Sequence, residues 1–252
     1  MKIVVVGGTG LIGSRLVARL RGDGHDVVAA ARATGVDSFT GVGLAEALDG
    51  AETLIDVSNS SYVDEAAARE FFYASTLNLL TFGAAAGIRH HVALSVVGTD
   101  RLARSEGGYF QAKAEQEKLI VRSGRPYSIV HATQFFEFVR SITDAATRSR
   151  IAHVADALIQ PMAADDVAAS VAGIAAGAPT NGISEFGGPE VFELRELAER
   201  ELRFRHDDRE VLADPLGTYF GAQLERRELL PGPDATLVET RFHEWQVQKA
   251  LV

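Results

Sequence analysis

The chain contains no cysteine. That absence excludes a disulfide scaffold, a thiolate zinc site and a cysteine nucleophile. Positive charge is scarce: 25 Lys and Arg stand against 34 Asp and Glu, a formal net charge of −9. A general nucleic-acid binder needs a basic face, so nucleic acid is not expected as a partner. No uninterrupted apolar stretch reaches the length of a membrane span, so no membrane association is expected either. No secretory leader is expected either, because Met1-Lys2 runs straight into Ile3-Val4-Val5-Val6 and then glycines. The expectation is a soluble cytoplasmic protein. What is present is a globular mix over 252 residues, 46% apolar and 23% charged. That suits one large domain, or one domain with a small lobe.

The first half alternates short β-branched runs with amphipathic Ala/Leu/Arg stretches. Strands are expected at Ile3 to Val6, Asp26 to Ala31, Thr53 to Val57, Val92 to Leu94 and Ser128 to His131. Helices are expected at Leu11 to Leu20, Leu44 to Leu48, Asp64 to Ala86 and Gln111 to Arg122. Such alternation implies a parallel sheet with right-handed crossovers, an α/β doubly wound fold. The second half is less regular. A helix from Val167 to Ala176 is preceded by Asp165-Asp166, which reads as a carboxylate cap. Further elements are expected at Ile183 to Phe186, Leu194 to Arg203, Glu210 to Ala213 and Thr240 to Val252. The division is a core over 1–150 and sheet-completing segments with a C-terminal lobe over 151–252, with a soft boundary.

Gly7-Gly8-Thr9-Gly10-Leu11-Ile12-Gly13 lies between the first strand and the first helix. Gly7 permits the tight turn, Gly10 lets backbone approach a pyrophosphate, and Gly13 lets the helix pack closely on the strand. The free N–H groups and dipole of the helix start attract phosphate. A glycine triplet alone is weak, but here it follows a strand and opens a helix, as the motif requires. An NAD-preferring site would place an acid at the end of the second strand. This chain has Ala31-Arg32-Ala33-Thr34 there, and Arg32 suits a 2′-phosphate. NADPH is the expected cofactor, with NADH as the alternative.

Tyr109 and Lys113 are four apart, so on a helix they share one face. The chain holds 5 Tyr, and lysine occurs only at Lys2, Lys113, Lys118 and Lys249, so the pairing is uncommon by chance. Carbonyl reduction needs a proton donor, and an ammonium beside a phenol lowers its pKa from about 10. Lys113 could also bind the nicotinamide ribose. Ser95, past the Val92–Leu94 strand, would stand at the carboxyl edge of the sheet and orient a substrate carbonyl.

With these motifs the chain resembles the short-chain dehydrogenase/reductase superfamily, in its atypical NmrA-like branch. Leu94-Ser95-Val96-Val97-Gly98, Gln160-Pro161-Met162-Ala163-Ala164-Asp165-Asp166-Val167 and Gly187-Gly188-Pro189-Glu190 carry the likeness alongside the glycine loop and the Tyr/Lys pair. The resemblance covers about residues 1–200. It implies a Rossmann core with a small C-terminal substrate lobe. By position it implies that Gly7, Thr9, Gly10, Leu11 and Ile12 hold the pyrophosphate and Arg32 the adenosine end. It also implies that Val57, Ser58 and Asn59 flank the cofactor, and that the segment with Gln134, Phe135 and Phe136 closes over the nicotinamide and forms the substrate pocket. Relatives commonly begin that last segment with Arg-Pro; this chain has His131-Ala132. The implied activity is hydride transfer from NAD(P)H to a planar carbonyl, quinone or conjugated acceptor, in a monomer or homodimer. Two other functions fit the same residues: an NADP(H)-sensing binding protein without turnover, and a tailoring enzyme acting on a polycyclic aromatic quinone.

Other residues read as structural. His90 and His91 are adjacent on a strand and point to opposite faces, so no metal site is expected. Phe135, Phe136 and Phe138 suit either core or the wall of a flat-substrate pocket. Tyr219, Phe220, Phe242 and Trp245 could line the same cleft or an oligomer contact.

Overall fold

Short Val/Ile runs that are apolar on both faces can only sit inside a sheet covered on both sides. In the computed structural model, which describes all residues except 61–63, 105–107, 220–221 and 252, they form its centre. Phe220 and Val252 therefore lie outside the described residues. The first half runs β1 (Lys2–Val6), α1 (Leu11–Gly22), β2 (Asp26–Ala30), α2 (Leu44–Leu48), β3 (Thr53–Asp56), α3 (Glu65–Ala85), β4 (His90–Val96), α4 (Thr99–Leu102), α5 (Gly108–Arg122) and β5 (Tyr127–Ala132). It continues with α6 (Val139–Ala145), β6 (Thr147–Arg148), β7 (Ile151–Ala155), β8 (Leu158–Ile159), α7 (Ala164–Ala176) and β9 (Ile183–Gly187). The chain closes with β10 (Phe192–Glu193), α8 (Leu194–Phe204), β11 (Glu210–Asp214), β12 (Thr218–Tyr219), β13 (Ala222–Gln223), β14 (Thr236–Leu237) and α9 (Phe242–Ala250).

The described residues build a seven-stranded sheet in the order β14-β9-β5-β4-β3-β1-β2. Every neighbouring pair is parallel. The chain leaves β1 toward β2 and returns on the other side with β3, so the strand order reverses beside β1. Ligands in open α/β sheets bind at that reversal, outside the carboxyl ends of the strands. On one face α1 and α7 cover Ile3, Val5, Ile55, Val92 and Val130. On the other, α2 and α3 cover Val4, Val6 and Leu54, and α5 brings Ile120 onto Ala93 and Ile129.

The lobe is built from small pieces: a three-stranded sheet β11-β7-β6, two two-stranded ones, and α6, α8 and α9. Its core packs Phe136, Phe192, Leu197, Leu202 and Phe242 in one cluster with Phe72, Tyr109 and Phe110 of the sheet half. Phe136 meets Phe242 edge-on with ring centres 5.2 Å apart. Each buried aromatic of this kind contributes about 1.5–3 kcal/mol by removal from water.

One local expectation is corrected. Asp165 and Asp166 do not cap α7; they lie in its first turn, the cap residue is Ala163, and no side chain of its own caps it. The carboxylate of Glu137, from the segment after β5, accepts the Ala164 N–H at 3.1 Å instead. Asp165 pairs with Arg15 of α1 at 3.1 Å. The helix start is thus satisfied from a distant segment, and the two aspartates still favour its dipole. Among the described residues no helix is long and apolar enough to cross a membrane.

Candidate functional site

The glycine loop is shaped by close approaches that leave no room for side chains. Gly7 has φ +80°, and a Cβ there would lie 2.9 Å from the backbone of Val57 and Ser58; one at Gly13 would lie 2.0 Å from the Gly7 carbonyl oxygen. Gly7 and Gly8 donate their N–H groups to Ala30 O at 2.9 and 3.2 Å, tying the loop to the end of β2. Helix α1 opens at Gly10 with no side-chain cap. A helix start of this kind leaves its first N–H groups without a side-chain acceptor at the cap.

A cleft of about 620 Å³ opens at the strand reversal. Gly7, Thr9, Gly10, Leu11, Ile12, Arg32, Val57, Ser58, Asn59, Ser95, Tyr109, Lys113 and Phe135 all line it. Three predicted residues do not. Gly13 packs α1 onto the loop beneath the cleft. Phe136 is 2% exposed and belongs to the lobe core against Phe242 and Trp245. Gln134 borders a smaller adjoining cavity of about 50 Å³ with Tyr109, Phe135, Phe138 and Tyr219. Both atoms of its side-chain amide are buried with no hydrogen-bond partner among the described residues. Such groups are uncommon and call for a partner.

At the β2 end of the cleft Arg32 begins a 3-10 turn, Arg32–Thr34, and is exposed. Asp37 and Ser38 line the same end. They were missed because the chain reaches them only after the turn and the left-handed Gly35. Asp37 accepts the Phe39 N–H at 2.9 Å.

Helix α5 starts at Gly108, earlier than the expected Gln111, so Tyr109 and Lys113 lie on one helix. The Tyr109 hydroxyl donates to Asn59 Oδ1 at 2.9 Å. Lys113 is 2% exposed. Its ammonium donates to Leu94 O at 2.9 Å and to Gln116 Oε1, and stands 4.6 Å from the centre of the Phe72 ring. Burial lowers its pKa to about 8, against the pull of Asp56 and Glu117. Asp56, at the end of β3, accepts from Gln116 Nε2 at 2.9 Å and from the Ser58 N–H and hydroxyl at 2.9 and 2.6 Å. One carboxylate thus fixes both the lysine's neighbour and the loop that carries Asn59. Ser95 Oγ donates to Glu117, which also receives His131 Nε2 at 3.0 Å. Asp56, Gln116 and Glu117 went unrecognised in the sequence; the i, i+3 spacing of Gln116 from Lys113 was the one available signal.

His90 and His91 are both buried in β4. The first bonds Ser128 Oγ at 2.8 Å through Nε2. The second takes its largest pKa effect from burial, which lowers it to about 4.

A glycine-lined loop at a strand reversal, with a buried lysine lining the same cleft, is an arrangement of the short-chain dehydrogenase/reductase kind. The NAD dependent epimerase/dehydratase family matches residues 3–134, more than half of the chain, and the chain belongs to that family. Photosystem II assembly factor Ycf39 of Synechocystis is 26% identical over 151 residues, 54% of this chain and 46% of that protein. The match therefore spans under half of that relative. The fold is shared with UDP-glucose 4-epimerase of Thermotoga maritima, with a TM-score of 0.75 at 14% identity over all of both chains. It is also shared with an NADPH-dependent quinone oxidoreductase of Escherichia coli complexed with NADPH, with a TM-score of 0.64 at 22% identity over 85% of this chain and 78% of that one.

Proposed function

We propose that the protein is an NADPH-dependent oxidoreductase that reduces a planar carbonyl, quinone or conjugated acceptor. The carrying observation is the meeting of Tyr109 and Lys113 from one helix with the glycine loop in a single cleft. The residues present fit a dinucleotide, because α1 is uncapped at its start and the loop glycines sit where a Cβ would collide with backbone. Gly7, Thr9, Gly10, Leu11 and Ile12 would hold the pyrophosphate, Arg32 the 2′-phosphate, and Val57, Ser58 and Asn59 the flank. When bound, the reduced nicotinamide supplies a hydride to the acceptor.

The chain's own residues do the rest. Lys113 keeps a positive charge in a water-poor wall, which favours the phenolate of Tyr109 and so eases release of its proton. Asn59 holds the Tyr109 hydroxyl until an acceptor oxygen displaces it. Phe71, Phe135 and Phe138 supply flat apolar walls that exclude water and orient a planar acceptor. The orphan amide of Gln134 offers its N–H donors and its carbonyl oxygen to a polar edge of that molecule. The quinone oxidoreductase with the same fold supports this acceptor class.

The test is NADPH oxidation against a panel of quinones and ketones, repeated with Tyr109→Phe. The wild type is expected to turn over at least one acceptor, and the variant to lose about 10²-fold or more in kcat. No turnover with any acceptor ends the reductase reading; an unimpaired variant ends only the role of the phenol. A second reading is favoured by one observation: the cavity beyond Tyr109 is only about 50 Å³. A protein that binds the reduced cofactor and reports on it would need no more room, and would show tight NADPH binding without turnover.

A further inference from the structure

Between α5 and the sheet lies a string of polar groups that simple packing does not require. Ser95, His131 and Glu185 stand in register on β4, β5 and β9. Residues in register on parallel strands point to the same face. Glu117 of α5 comes down on them: its Oε1 accepts from Ser95 Oγ and, at 3.0 Å, from His131 Nε2. On the far side His131 Nδ1 stands 3.7 Å from Glu185 Oε1, and Glu185 Oε2 accepts the Gly232 N–H at 2.7 Å. Arg101 of α4 acts on Glu185 from the same side, while Lys113 and Asp56 continue the layer toward β3.

A serine has one hydroxyl proton and two lone pairs. The proton of Ser95 is committed to Glu117. The nearby Thr99 hydroxyl cannot supply another, because it donates to Val96 O at 2.6 Å and stands 3.4 Å from Ser95 Oγ. An imidazole flanked by two carboxylates is held as the imidazolium. Burial opposes its charge, but the bond to Glu117 and the nearby Glu185 carboxylate outweigh that and raise its pKa to about 9. With an N–H of that ring aimed at Oε1, the Glu117 carboxylate stays an acceptor, and Ser95 stays turned toward it.

We infer that Ser95 faces the cleft as a hydrogen-bond acceptor only, and therefore selects a ligand that brings a hydroxyl or N–H donor to that point. Glu117 and His131 are positioning residues that set this polarity. The inference rests on the reductase reading and deepens it, because it reverses the expected part of Ser95: the serine does not donate to an acceptor carbonyl but receives a bond from a hydroxyl or N–H beside it. The donor can come from the acceptor molecule or from the cofactor.

Dissociation constants separate the two sources and need no turnover. The probes are 1,4-naphthoquinone, a set of its monohydroxylated forms, and NADPH, each titrated against wild type, Ser95→Ala and Ser95→Thr. If the acceptor brings the donor, at least one hydroxylated quinone binds wild type about tenfold more tightly than the parent. Ser95→Ala then removes that preference and leaves parent binding unchanged, while Ser95→Thr keeps it. If the cofactor brings the donor, Ser95→Ala weakens NADPH about tenfold and the quinones are unaffected. Equal binding of every probe to wild type and to both variants overturns the inference. Should the alanine variant not fold, a threonine variant that has lost the preference overturns it as well. The 15N spectrum of the cofactor-free protein provides an independent readout: His131 is expected with both ring nitrogens protonated at pH 7, and a neutral ring there overturns the inference. A wild type that turns over no acceptor yet shows this binding pattern sinks the reductase reading and leaves the polarity of Ser95 standing.

Discussion

On the proposed reading, Arg32 is the residue on which cofactor choice turns. It is exposed at the β2 end of the cleft, and no carboxylate among the described residues pairs with it. A free fork-shaped cation there matches a phosphate dianion well. Asp37 in the same wall pulls the other way, since a carboxylate accepts from ribose hydroxyls and repels a 2′-phosphate. The proposal of NADPH predicts that Arg32→Ala raises the NADPH dissociation constant about tenfold or more while leaving NADH within about twofold. Fluorescence titration of both cofactors measures this, and an equal loss for the two would remove the 2′-phosphate from the argument.

At the scale of elements the loop between β1 and α1 is the most constrained joint. A Cβ on Gly13 would sit 2.0 Å from the Gly7 carbonyl oxygen, whereas one on Gly22 at the other end of α1 meets nothing within 4 Å. Gly13→Ala must push the helix off the glycine loop, and it is expected to cost about 1–3 kcal/mol in urea unfolding together with cofactor affinity. Gly22→Ala serves as the control and should leave stability unchanged or slightly raised. A Gly13→Ala protein as stable as wild type would mean that the loop relaxes more easily than its contacts imply.

This joint was also the most legible part of the chain, since Val4-Val5-Val6, the glycines and the first helix are neighbours in sequence. The Tyr109/Lys113 pair was legible for the same reason. The lobe was not. Strands of two residues, such as Leu158–Ile159 and Thr218–Tyr219, are too short to carry a period. Nor was the polar layer: His131, Glu117 and Ser95 are 14 or more positions apart in pairs such as His131 with Glu117, and they meet only once strand register is set. Phe136 shows the converse limit, because an aromatic in a closing segment looks the same whether it faces a ligand or the lobe core.

For the molecule as a whole, the buried imidazolium ties global stability to pH. The pKa of His131 is raised from 6.5 in the unfolded chain to about 9 in the folded one. Its charged form is therefore favoured by folding, and that contribution is complete below pH 6.5 and is lost as pH rises through about 9. Lys113 works in the opposite sense. Its folded pKa is lowered to about 8, so folding penalises its charge below that pH and the penalty is relieved as pH rises above it. Comparing wild type with His131→Gln cancels the lysine and isolates the histidine, whose neighbours are Glu117, Glu185, Arg101, Lys113 and Asp56. The stability lead of wild type is expected to be on the order of 3 kcal/mol near pH 6 and to fade by pH 9–10. A lead that stays constant across that range would mean that the ring is neutral throughout.

The aromatic cluster that joins Phe72, Tyr109 and Phe110 to Phe136, Phe192 and Phe242 bears on how such a protein can diversify. The lobe is not a cassette. A graft from a relative would arrive with rings shaped for a different α5, and would disturb the tilt of the helix that carries the phenol. If the reductase reading holds, new acceptors are reached more readily by piecemeal change along the rim than by exchange of whole segments.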